Sequence, residues 1–266
     1  MMFRSLKEIN GYTIVDLSNE AVGSVNDFYF DDVAWVIRYL VVDIGVWLPG
    51  RKVLISPVSL GQPDWGGGVS LPVRLTKQQI EASPPLDADQ PVSRQEEIEL
   101  VDFYQWPTYW NDVTIFDART AGMDPESYLA SKKQAAQTKA GPDTAVIEKA
   151  ATAEYSGDPH LRSVDEVSGY YIQATDSDIG HVEDFIIDTT TWTIRYMVID
   201  TKNWWPGKKV LVSPLWVDQI DWGNSKVHVG MNRQMIKNSP EFDPSTPINR
   251  AYEERLFDYY GRPRYW

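Results

Sequence analysis

IRYLVVDIGVWLPGRKVLISP, residues 37–57, returns almost unchanged as IRYMVIDTKNWWPGKKVLVSP at residues 194–214. Begun two residues earlier, at Trp35 and Trp192, the two stretches align over 23 positions without a gap, and 14 positions are identical. The echo extends in both directions. Upstream, Gly11 faces Gly169, Gly23 faces Gly180, and Asp27-Phe28 faces Asp184-Phe185. Downstream, Asp64-Trp65 faces Asp221-Trp222, Ser83-Pro84 faces Ser239-Pro240, and Tyr109-Trp110 faces Tyr265-Trp266. The offset slides only from 158 to 156, far beyond the period of about 20–50 residues of a stacked solenoid. The chain therefore reads as a duplicated domain. The first copy covers residues 1–110, a linker covers 111–161, and the second copy covers 162–266.

The linker is rich in Ala, Lys, Thr and Gly and poor in large apolar groups. Asp124-Pro125 places an N-cap residue and an N1 proline ahead of ESYLASKKQAAQ, so a short helix is expected there. Within each copy the pattern changes partway. YTIVDL, GSVNDFYFD, WVIRYLVVDI and KVLISP in the first copy, with further short stretches around VSL and GVSLPV, read as strands separated by turns. Asp31-Asp32 suits an Asx-type turn, and Pro49-Gly50, which returns as Pro206-Gly207, suits a type II turn. The last third is helical. Thr76 caps TKQQIEAS, Ser93-x-x-Glu96 is a capping box, and Asn249 caps NRAYEERLFDYY. Each copy ends in an aromatic tail, WPTYW or RPRYW, expected to pack on the barrel. The expected fold is mainly β: two small antiparallel β-barrels, each with short C-terminal helices, joined by a partly helical linker.

Composition bounds the function. The 266 residues include 11 Trp, 14 Tyr and 8 Phe, enough apolar bulk for real cores. The formal net charge of −13 argues against a nucleic-acid binder, which would neutralise phosphates with Lys and Arg, and against docking on anionic lipid. With no Cys there is neither disulfide nor thiolate chemistry. No apolar run is long enough to span a bilayer, and MMFRSLKEIN lacks the apolar core of a secretory signal, so a cytoplasmic protein without membrane insertion is expected.

The run from Gly23-x-Val25-x-Asp27-Phe28, through Trp35-x-Ile37-Arg38-Tyr39-x-Val41-Val42-Asp43, to Lys52-Val53-Leu54-Ile55-Ser56-Pro57 resembles the PRC-barrel family. That family is named for the cytoplasmic domain of the photosynthetic reaction centre H subunit. A related barrel forms half of a ribosome-maturation factor. The resemblance covers both copies and is specific for fold more than for function. It implies a module for protein contacts, with no catalytic residue set to carry over. The expected chain departs from both named relatives: the H subunit carries an N-terminal transmembrane helix, where none is expected here, and the expected neighbour of each barrel is a second barrel.

Recurring residues are the candidates for a site. Four acids repeat: Asp27/Asp184, Asp31/Asp188, Asp43/Asp200 and Asp64/Asp221. They suit a carboxylate site or, more simply, turn and strand-end hydrogen bonding, and the second reading is preferred. Arg38/Arg195 puts a guanidinium on a strand, where it needs a partner or an exit to water; an ion pair is preferred to a ligand contact. Arg38 and Asp43 are five residues apart on one strand and face opposite sides. Trp47 and Trp204, with Leu48 and Trp205 beside them, form an apolar loop tip that is either an interface anchor or a plug for the barrel end. Candidate interaction residues are therefore Trp47, Leu48, Trp204, Trp205, Arg38 and Arg195. His160, His181 and His228 have no metal-ligand spacing, and WGGGVSL lacks the Lys-Ser/Thr of a phosphate loop, so no metal and no cofactor are expected.

The resulting expectation is a non-enzymatic protein-binding or scaffold module. Its two barrels pack as an intramolecular pseudo-dimer, and it engages a protein partner without direct nucleic-acid contact. Two alternatives stay open: an accessory or assembly factor of a reaction-centre-type or other electron-transfer complex, and a ribosome-assembly role through a basic protein partner.

Overall fold

Strand β4 (Val36–Asp43) and its counterpart β10 (Thr193–Asp200) are buried along nearly their whole length, because an almost unbroken apolar run suits a strand covered on both faces. They sit at the centre of the sheet, and the rest of the chain is arranged about them. The computed structural model describes residues 2–45, 50–84, 92–108, 160–201 and 208–266. In the first repeat the other elements are β1 (Phe3–Ser5), α1 (Leu6–Ile9), β2 (Thr13–Val15), β3 (Ala21–Asp31), β5 (Lys52–Ile55), β6 (Ser70–Pro72), α2 (Lys77–Glu81) and α3 (Arg94–Tyr104). In the second they are β7 (Leu161–Ser163), α4 (Val164–Val167), β8 (Tyr171–Gln173), β9 (Asp178–Asp188), β11 (Lys209–Val212), β12 (Val217–Asp221), β13 (Lys226–Val229), α5 (Arg233–Asn238) and α6 (Arg250–Tyr260).

Among the described residues thirteen strands form one curled sheet in the order β12-β13-β8-β9-β10-β4-β3-β2-β6. β11 joins β10 and β5 joins β4. The remaining two strands cross between repeats. β1 of the first repeat pairs antiparallel with β9 of the second, Arg4 opposite Ile187, and β7 of the second pairs with β3 of the first, Arg162 opposite Phe30. The repeats also meet where Thr193 lies opposite Val36.

The expectation of wholly antiparallel barrels needs correction: β2–β6 and β8–β13 are parallel pairs. Parallel neighbours need a long connection, and three strands intervene between β2 and β6 and four between β8 and β13. The strand expected around VSL is also corrected. Pro57–Ser59 and Pro214–Trp216 are 3-10 turns, because a proline without an N–H ends the β5 or β11 ladder, and Ser56 or Ser213 caps the turn. The helices follow their caps. Thr76 with Gln79 and Ser93 with Glu96 both close capping boxes, and the Asn249 side chain accepts from the Tyr252 N–H. The helix after Asp124-Pro125 lies outside the described residues, as does Pro49 of the expected type II turn.

One apolar core runs through both repeats, from Leu6 and Phe28 to Val198 and Phe257. Phe30 on β3 meets Phe185 on β9 with ring centres 5.8 Å apart, so the two repeats share their filling. A smaller cluster, Tyr39, Val41, Leu54 and Leu100 among its members, lies under α3.

Candidate interaction site

Two β-bulges in each repeat decide where the recurring polar side chains point. In β3 the register steps from Val25–Val42 to Asp27–Val41, leaving Asn26 as the extra residue; in β9 the extra residue is Glu183. A bulge bends its strand and re-aims the neighbouring side chains. Here it turns Asp27 and Asp184 toward the first helical turn of the opposite repeat. Asp27 accepts from the Ser163 hydroxyl at 2.6 Å and from the Asp165 N–H at 3.1 Å. Asp184 accepts from the Ser5 hydroxyl and, at 3.1 Å, from the Lys7 N–H. Burial pushes both carboxyls above their ordinary value, against the pull of these hydrogen bonds.

The second bulge sits at Arg38 and Arg195 themselves, each the extra residue in the register of its strand. That placement brings Arg38 to Asp31, Nη2 to Oδ2 at 3.0 Å, with the arginine side chain 4% exposed. Arg195 lies 3.7 Å from Asp188 and 4.6 Å over the Tyr265 ring. Asp31 also accepts from the Val33 and Ala34 N–H groups, so one carboxylate closes the hairpin and neutralises the bulged arginine. Each arginine thus has an acidic partner within its own repeat. Asp43 accepts from the Gly45 N–H at 2.7 Å, Asp64 from Gly66 and Asp221 from Asn224, all turn contacts. Trp47, Leu48, Trp204 and Trp205 lie outside the described residues.

A fifth recurring acid escaped the sequence reading. Glu97 on α3 and Glu253 on α6 are fully buried. The Tyr39 hydroxyl donates to Glu97 at 2.9 Å; the Tyr196 and Tyr265 hydroxyls each donate to Glu253 at 2.6 Å. Arg94 and Arg250, one helical turn earlier, complete the charge balance at 2.6 and 3.1 Å. Burial, with the neighbouring Tyr265 and Glu253, pushes the Tyr196 hydroxyl far up. Each constellation latches a C-terminal helix to the central strand of its repeat. The recurrence of Arg-x-x-Glu at offset 156 was the available signal.

The surface offers two pseudo-equivalent grooves where a hairpin tip of one repeat overhangs the loop after the 3-10 turn of the other. The groove between the Thr189–Trp192 tip and residues 57–65 has a volume of 690 Å³. Its counterpart, between Asp32-Val33 and Ile220-Trp222, has 340 Å³. A third, mostly apolar groove of 610 Å³ runs between β1 and the segment from Phe242 to Ile248. Among the described residues, no group of three His, Asp or Glu side chains is placed to hold a metal ion. No helix of the described residues is long and apolar enough to cross a membrane.

The model of the PRC-barrel domain family matches residues 1–66 and 160–230, once in each repeat and over just more than half of the chain. No curated protein matches the chain.

Proposed function

The chain belongs to the PRC-barrel domain family, and we propose that it works as a non-enzymatic protein-binding scaffold whose two barrels form an intramolecular pseudo-dimer. The observation that carries this reading is the commitment of the recurring polar residues. Asp27 and Asp184 bind the opposite repeat, Asp31 and Asp188 hold the bulged arginines, and Glu97 and Glu253 anchor the helices. Residues that recur in a duplicated enzyme would converge on a reacting centre with a nucleophile or base held free; these recur to hold strands and helices. The family suggests protein contact as the use of such a frame. The exchanged strands β1 and β7 support the pseudo-dimer, since each completes the other repeat's sheet.

The test is retention of a partner by the immobilised full-length chain from an extract of the cell that makes it. One protein should be held near one-to-one stoichiometry and released by free chain. Retention of nothing above background, or catalytic consumption of a small molecule by the purified chain, overturns the reading.

A further inference from the structure

The two pseudo-equivalent grooves differ by a factor of about two in volume, and the sequence of the repeats explains it. In the second repeat, residues after the 3-10 turn form β12, which pairs with β13 from Val217–Val229 to Asp221–Lys226. The first repeat begins the same ladder with the Leu60–Val73 bridge and the Gly61 N–H donating to the Pro72 carbonyl at 2.7 Å. It then stops. Pro63 stands where the second repeat has Ile220, and Pro72 where it has His228, so two N–H donors of the ladder are missing. The chain leaves the sheet edge at Gln62 and the groove opens.

Charge changes in the same place. Thr189 in the large groove replaces Asp32 of the small one, and Arg74 replaces Gly230. In the small groove Asp32 is tied to Arg162 at 3.1 Å and to His160 at 3.0 Å, so its acid is already engaged. In the large groove Arg74 is the single charged lining residue; it is exposed and makes no ion pair among the described residues. On a chain of net charge −13, the large groove lacks the acid that offsets Arg162 in its twin and keeps a base, Arg74, with no acid beside it in the lining. Its walls are rings: Trp65 and Trp192 with Pro63 and Pro107. Arg4 lies 5.6 Å over Trp65 and is itself held by Glu8, so that indole is preset.

We propose that this groove docks an extended, proline-bearing acidic segment of a partner protein. A polyproline II segment makes no internal hydrogen bonds and presents rings that fit between aromatic side chains. A carboxylate on it would meet Arg74, and Thr189 leaves no acid to repel it. The site deepens the protein-binding reading and rests on it.

The experiment titrates the full-length chain with fluorescein-labelled (Glu-Pro-Pro)3 and (Lys-Pro-Pro)3, read by anisotropy. The acidic peptide should bind saturably and the basic one should not. Arg74→Gly and Thr189→Asp, which give the groove the residues of its twin, should each weaken binding about tenfold while leaving the thermal transition in place. Absence of saturable binding, equal binding of both peptides, or unchanged affinity in both variants overturns the site. So does a chain whose self-association, measured by sedimentation, is abolished by Arg74→Gly, since the occupant would then be a second copy. If the extract partner is retained equally by wild type and Arg74→Gly, the groove falls and the scaffold reading stands. If wild type binds the acidic peptide as described but retains no partner, the groove stands and the scaffold reading falls.

Discussion

Trp35 and Trp192 both hold a left-handed backbone, φ 54° and 57°, and each gives its carbonyl to the other repeat. The Ile194 N–H donates to the Trp35 carbonyl at 2.7 Å and the Ile37 N–H to the Trp192 carbonyl at 2.9 Å. A bulky residue in this region costs about 1–2 kcal/mol. The reciprocal hydrogen bonds, together with the Trp35 ring stacked 5.3 Å from Phe30, offset that cost.

Trp192→Ala should therefore weaken both repeats together, by about 3–5 kcal/mol for a buried Trp. Because one core runs through both repeats, denaturant unfolding followed by circular dichroism should keep a single transition at lower midpoint. Two separated transitions would show that the repeats are independent units.

Expressed apart, residues 1–110 and 160–266 should each lack the strand that completes the sheet. Light scattering should find self-association or aggregation of each alone, and a one-to-one complex on mixing. Stable, mutually indifferent monomers would contradict the role given to β1 and β7.

The junction carboxyls have a pH signature. The folded state raises Asp27 and Asp184 above their unfolded values, so the native protein binds more protons between the two. Stability from these groups is fullest below the usual carboxylate range and falls as pH rises through the folded values. Asp27→Asn should flatten that part of the stability–pH curve. Ser163→Ala should cost about 1–2 kcal/mol, because the hydroxyl also caps α4. An unchanged slope in Asp27→Asn would remove the junction carboxyl from the argument.

The buried latch predicts coupling. Tyr196→Phe and Glu253→Gln each leave a partner of the network unsatisfied, at about 1–3 kcal/mol. Their double-mutant cycle should show an interaction of about 1 kcal/mol or more by denaturant titration, whereas Tyr196→Phe and the remote Asp64→Asn should be additive.

Glycines that share a positive φ should separate sharply. A Cβ at Gly180 would lie 2.1 Å from the Asp200 carbonyl oxygen, while one at Gly169 meets nothing within 4 Å. Gly169→Ala should cost about 1–2 kcal/mol from its backbone alone. Gly180→Ala must also push β9 from β10 and should cost clearly more, with a correspondingly lower melting temperature.

The duplication, the β3–β4 and β9–β10 strands and the capped helices α2, α3 and α6 were determined by the sequence itself. Their signals are local: side-chain oxygens within reach of an N–H three residues on, or a continuous apolar run. The exchange of β1 and β7 was decided only in three dimensions. Three-residue strands carry no usable periodicity, and a duplicated chain offers each strand two nearly identical sheets, so no local pattern distinguishes its own repeat from the other. The bulges at Asn26, Glu183, Arg38 and Arg195 belong to the same class, because an extra residue is defined by the strand opposite it. They alone turn Asp27 toward Ser163 and Arg38 toward Asp31. Burial of Glu97 and Glu253 was likewise hidden, since an acid on a helix reads as solvated until a tyrosine on a distant strand is brought to face it.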